Sequence, residues 1–101
     1  MVSKFMIEQF KKQIKSIEEM RCIKDYSGHY FYKGYSISNA GGNEYPWNYG
    51  MDSLFGYECA KTMSEAKRDI DYITNGMTIE ELKEELKRTF CYSEELKTLI
   101  K

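Results

Sequence analysis

At 101 residues, with 15 Lys+Arg against 16 Asp+Glu, the chain has room for one domain built on one modest core. Apolar residues make up 42% of it and aromatic residues 15%, which excludes an intrinsically disordered chain. The net charge of −1 excludes a protein whose main work is coating nucleic acid, since neutralising phosphates needs a marked basic excess.

The first element is a helix over residues 3–20. Ile7, Phe10, Ile14 and Ile17 recur at helical spacing and form one apolar stripe, while Lys11, Lys12, Lys15, Glu8, Glu18 and Glu19 occupy the remaining positions. Ser3 suits the N-cap. The stripe needs a cover, which the domain's own sheet would supply; the same spacing also suits a homodimer seam.

Residues 21–61 differ in character. Seven of the nine tyrosines fall here (Tyr26, Tyr30, Tyr32, Tyr35, Tyr45, Tyr49 and Tyr57), with Phe31, Phe55 and the single Trp47. Tyr30 to Ile37 reads as strand, with Lys33-Gly34 interrupting it as a bulge or tight turn. Asn39 to Asn43 is a turn, because Gly41-Gly42 tolerate positive φ. Pro46 restricts the following strand to an edge or a start, and Trp47–Tyr49 and Leu54–Ala60 are the next strand candidates. The expectation is an antiparallel sheet of about three strands.

Helices fill the remainder, over 62–75, 78–90 and 93–101. Thr62-Met63-Ser64-Glu65 and Thr78-Ile79-Glu80-Glu81 have the spacing of capping boxes. Asn75-Gly76 suits a helix C-terminus, and Ser93-Glu94-Glu95 opens a short last helix. The prediction is a single α+β domain over residues 1–101, in which two or three C-terminal helices pack on one face of the sheet.

Catalytic apparatus is sparse. His29 is the single histidine, and no spacing pairs it with a cysteine or serine. Asp69 and Asp71, two apart on a helix, point to different sides and read as solvated. Cys22, Cys59 and Cys91 are odd in number and form no C-x-x-C pair, so neither a disulfide framework nor a zinc or redox site is implied. They read as small apolar side chains, with Cys91, beside a polar helix start, the one placed to react. Neither metal nor cofactor is expected, and the protein reads as no enzyme. The sequence holds no apolar run of the roughly 18 residues that a membrane helix needs. Glu8 interrupts the N-terminal segment before any stretch of signal-peptide length. Together with the cysteine pattern, this predicts a cytoplasmic protein with no membrane partner.

The aromatic segment carries the functional signal. Tyrosine and tryptophan are the residues most enriched at binding hot spots, and ten rings in this stretch exceed what one small sheet face can hide. The loop from Gly42 to Gly50 combines a flexible entry with Tyr45, Trp47 and Tyr49, the makeup of a recognition loop. The candidate partner-binding residues are Tyr45, Trp47, Tyr49, Tyr35, Tyr32 and Asn43. Basic and acidic residues balance around them, which disfavours direct nucleic-acid binding.

Tyr32-Lys33-Gly34-Tyr35-Ser36-Ile37, then Trp47, then Lys61-Thr62-Met63-Ser64-Glu65-Ala66-Lys67-Arg68-Asp69-Ile70-Asp71 resembles small proteins of phages and mobile elements of low-GC Gram-positive bacteria. Those proteins carry an aromatic-glycine strand followed by a T-x-x-E-A-K-x-x-I-D helix. A subset of them are anti-defence proteins, anti-CRISPR inhibitors among them. The resemblance implies a non-enzymatic inhibitor that occludes or locks a bacterial protein target, a CRISPR effector or another defence protein. The alternative is a domain, monomeric or dimeric, whose rings line a pocket for a nucleotide-type small molecule.

Overall fold

The computed structural model describes residues 3–42, 44–51, 57–89 and 94–100. The chain runs α1 (Lys4–Glu18), β1 (Cys22–Tyr26), β2 (His29–Tyr32), β3 (Tyr35–Asn39), β4 (Trp47–Gly50), β5 (Glu58–Ala60), α2 (Met63–Ile73), α3 (Ile79–Thr89) and α4 (Glu94–Lys97). The α+β architecture matches the sequence reading, but the sheet has five strands in the order β1-β2-β3-β4-β5, where about three were expected. Of the bulge or tight turn expected at Lys33-Gly34, the structure has the tight turn, so Tyr30–Ile37 is a hairpin of two strands; β1 had no counterpart in the sequence reading. Phe55, the first residues of the Leu54–Ala60 strand, Phe90, Cys91 and Ser93 lie outside the described residues.

Helices α1, α2 and α3 begin where their caps dictate. Ser3 Oγ accepts from the Met6 N–H, and Thr62 Oγ1 accepts from the Glu65 N–H at 3.1 Å. At α3 the box is reciprocal: Thr78 Oγ1 accepts from Glu81 N–H at 3.1 Å, while Glu81 Oε1 accepts from Thr78 N–H at 3.0 Å. Glu80 and Glu81, like Glu94 and Glu95, stand in first turns, where the helix dipole favours negative charge.

Every strand pairing is antiparallel, and the register sorts the side chains into two faces. One face carries Cys22, Lys24, Tyr30, Tyr32, Tyr35, Ile37, Asn39, Trp47, Tyr49, Glu58 and Ala60. The other carries Ile23, His29, Phe31, Ser36, Ser38, Asn48, Gly50 and Cys59. Helix α2 lays Ala66 and Ile70 on Ile37, Tyr49 and Ala60 of the first face. Helix α1 contacts β1 and β2, and its Gln9 and Lys12 bond Asp25 beside His29, so it lies on the second face. Phe10, Ile14 and Ile17 of α1 then join Leu82 and Leu86 of α3, with Leu96 and Ile100, in a second cluster. The C-terminal helices therefore do not share one face as the sequence reading had them. One short sheet cannot cover every helix stripe, so α3 and α4 bury theirs against α1. Fully buried Ile17, Ile37, Ile70, Leu82 and Leu86 each contribute roughly 1.5–3 kcal/mol through burial.

The β2–β3 turn ties these layers together. Lys33 and Gly34 form a two-residue loop closing the Tyr32–Tyr35 pair, with φ of 52° and 86°, the positive values that match hairpin twist. Gly34 is held from both sides by α1. Its carbonyl accepts from Gln13 Nε2 at 2.7 Å, and its N–H donates to Ser16 Oγ at 2.9 Å. Ser16 in turn donates to the Gln13 carbonyl at 2.6 Å. Gln13 and Ser16 are both buried, and these bonds satisfy polar groups that would otherwise cost about 1–3 kcal/mol each.

Candidate functional site

The aromatic segment divides into a buried part and an exposed part. Tyr49 is core, not a binding anchor as the sequence reading had it. It is 6% exposed beneath α2, and its hydroxyl donates to Asp69 Oδ2 at 2.9 Å. Burial, the Asp69 hydrogen bond and the charges of Asp69, Glu58 and Glu65 all push its ionisation upward. Tyr32 makes a matching contact two residues further along the same helix, donating to Asp71 Oδ1 at 2.6 Å. Lys33 Nζ reaches the same oxygen at 2.7 Å and lies 5.4 Å from the Tyr32 ring centre. Burial first, then the Asp71 bond and charge, raises Tyr32 to about 12. Asp69 and Asp71 thus both link α2 to the sheet, Asp71 while keeping half of its side chain in solvent as the sequence reading expects. Tyr35 is half-buried against the same cluster, and burial followed by the Glu85 charge raises its pKa. Asn43 lies outside the described residues.

Beyond α2 the surface changes. Tyr30 and Trp47 sit at the margin of the core cluster with ring centres 6.4 Å apart. Lys24, exposed on the edge strand, stands directly across from Tyr30. Tyr45, in the loop leading into β4, is 44% exposed, and Lys61 Nζ lies 5.5 Å from its ring centre. Of the six residues nominated from sequence, the structure brings Tyr45 and Trp47 to this rim and places Tyr32, Tyr35 and Tyr49 elsewhere. It adds Tyr30 and Lys24, which only the register could identify.

The opposite face holds a constellation that sequence spacing concealed. Asp25, whose side chain is 3% exposed, accepts from Gln9 Nε2 at 2.7 Å, from Lys12 Nζ at 3.1 Å and from His29 Nδ1 at 2.9 Å. Burial works to raise the carboxyl's pKa, but these three hydrogen bonds and the Lys12 charge outweigh it and hold the group below its ordinary value. With Nδ1–H donating to the carboxylate, Nε2 is left as acceptor for Ser36 Oγ at 2.7 Å. Tyr26 stacks on the imidazole at 4.9 Å and Phe31 meets it edge-on at 5.0 Å. The signal lay in the Lys33-Gly34 turn: read as a two-residue loop, it makes His29 and Ser36 diagonal neighbours on one face.

Other chemistry leaves little trace. Among the described residues no three His, Cys, Asp or Glu side chains are grouped to hold a metal ion, and no helix is long and apolar enough to cross a membrane. The Cys22 thiol is pushed up by burial, with Lys67 and Arg21 opposing, which disfavours the reactive thiolate. Two surface hollows, of about 590 and 500 Å³, are lined by residues of α3 and α1 such as Glu84, Arg88, Lys11 and Glu18. No aromatic side chain lines either. Comparison of the chain with protein-family models, with curated proteins and with solved structures finds no match.

Proposed function

We propose that this protein binds another protein through the rim formed by Tyr30, Trp47 and Tyr45. The observation that carries the reading is the separation of the rings: Tyr49 and Tyr32 are pinned by α2, whereas Tyr45 is exposed two residues before Trp47, whose ring meets Tyr30 at the partly buried margin of the core. Large rings held by a sheet lose little conformational freedom on binding, which is why such residues anchor interfaces. Lys24 stands at the margin of the rim and Lys61 pairs there with Glu44 at 3.9 Å, a polar border of mixed charge of the kind that surrounds an apolar interface centre. The strand-and-helix resemblance adds the class of partner: a bacterial defence protein, inhibited by occlusion or locking.

The test is quantitative capture from a low-GC Gram-positive lysate with wild-type, Tyr45→Ala and Trp47→Ala proteins as bait. A partner retained in stoichiometric amount by the wild type should be lost with either variant, each costing about 2 kcal/mol or more of binding. Tyr45→Ala, at a position 44% exposed with a Lys61 cation–π contact, should leave the protein folded and lower the melting temperature by no more than a few degrees. Undiminished capture by both variants would place the binding surface elsewhere.

A further inference from the structure

We propose that Asp25, His29 and Ser36 form a nucleophilic centre that transfers short acyl groups from esters through Ser36 Oγ. This centre faces away from the aromatic rim, on the other side of the sheet, and does not depend on the binding reading. Its parts stand in the order acyl transfer requires. A buried carboxylate fixes the imidazole tautomer by accepting from Nδ1, at 2.9 Å; the opposite nitrogen takes the hydroxyl proton across 2.7 Å. Gln9 and Lys12 hold the carboxylate, and Tyr26 and Phe31 clamp the ring, so the base is oriented before any substrate arrives.

Access comes from the asymmetry of this face. Helix α1 packs on β1 and β2, whereas Ser36 belongs to β3 and is partly exposed. Its cross-strand partner on β4 is Gly50, which has no side chain to wall off the hydroxyl. Among the described residues the same face continues with Ser38, Asn48 and the exposed Cys59, small polar groups that match a small polar ester rather than a long acyl chain.

The step balances within the site. Ser36 Oγ attacks the ester carbonyl carbon as its proton passes to His29 Nε2. The carbon–oxygen bond to the alcohol then breaks, and the imidazolium returns that proton to the departing alkoxide. Water next attacks the acyl-serine and gives a proton to His29. The carboxylic acid departs and the proton goes back to Ser36 Oγ.

The probes are an alkyl fluorophosphonate, which would bond phosphorus to Ser36 Oγ with loss of fluoride, and p-nitrophenyl acetate. Peptide mass spectrometry of the wild-type protein should find the adduct on Ser36. His29→Gln, confirmed folded by circular dichroism, should be labelled at least ten-fold more slowly. Ser36→Ala, which keeps the His29–Asp25 bond, should lose both the adduct and the acetate hydrolysis above buffer rate. No adduct on Ser36, or labelling at an equal rate in His29→Gln, would overturn the proposal and leave the three residues a structural network.

Discussion

Gly34→Ala should destabilise the protein by roughly 2–5 kcal/mol, the left-handed backbone contributing about 1–2 and the crowding about 1–3. Gly34 has φ of +86°, and an added Cβ would stand 2.8 Å from Ile17 Cδ1 and 3.2 Å from Met51 Cε. Ile17 is fully buried, so relief requires moving either α1 or the hairpin. Either movement strains the bonds that Gln13 and Ser16 make to the turn. Urea denaturation measures the effect directly. A loss below about 0.5 kcal/mol, the range of an ordinary surface substitution, would mean that the turn is not clamped as described.

Asp25→Ala should cost about 3 kcal/mol at neutral pH, because it strips the acceptor from Gln9, Lys12 and His29 together in a poorly solvated site. Its pH dependence separates this network from simple packing. The carboxyl sits below its ordinary value of 3.8 in the folded protein, so the stability it contributes is complete above that value. That contribution drains away as pH falls through it toward the folded pKa. The wild-type and variant stability curves should therefore converge in acid. Parallel curves down to pH 2 would show that the charge of Asp25 contributes nothing.

The helices were legible because their signals are local. Ser3, Thr62 and Thr78 announce their starts, and the apolar stripes of α1 and α3 repeat at helical spacing regardless of what covers them. Strand β1 was not, because Cys22–Tyr26 is an edge strand with charged Lys24 and Asp25 and a break in register between Lys24 and Tyr26, which removes the apolar alternation. At Lys33-Gly34 bulge and tight turn stayed open because a lysine at positive φ is unusual; Lys33 takes that conformation where its ammonium bonds Asp71. The division of labour among the tyrosines depends on where α2 lies. Tyr45, Trp47 and Tyr49 alternate in sequence, yet only tertiary packing buries Tyr49 and leaves Tyr45 out. The meeting of Asp25, His29 and Ser36 is likewise a property of register: it rests on two hairpins, and no motif spacing encodes it.

The most direct test of the binding account is photo-crosslinking from single positions, with p-benzoylphenylalanine replacing Tyr45 in one variant and Tyr72 in another. Tyr72, on α2, is 85% exposed and is the rival aromatic contact by exposure alone. The account predicts a covalent adduct with the captured partner from position 45 and none from position 72. An adduct from position 72 with none from position 45 would contradict it and move the interface to the outer side of α2.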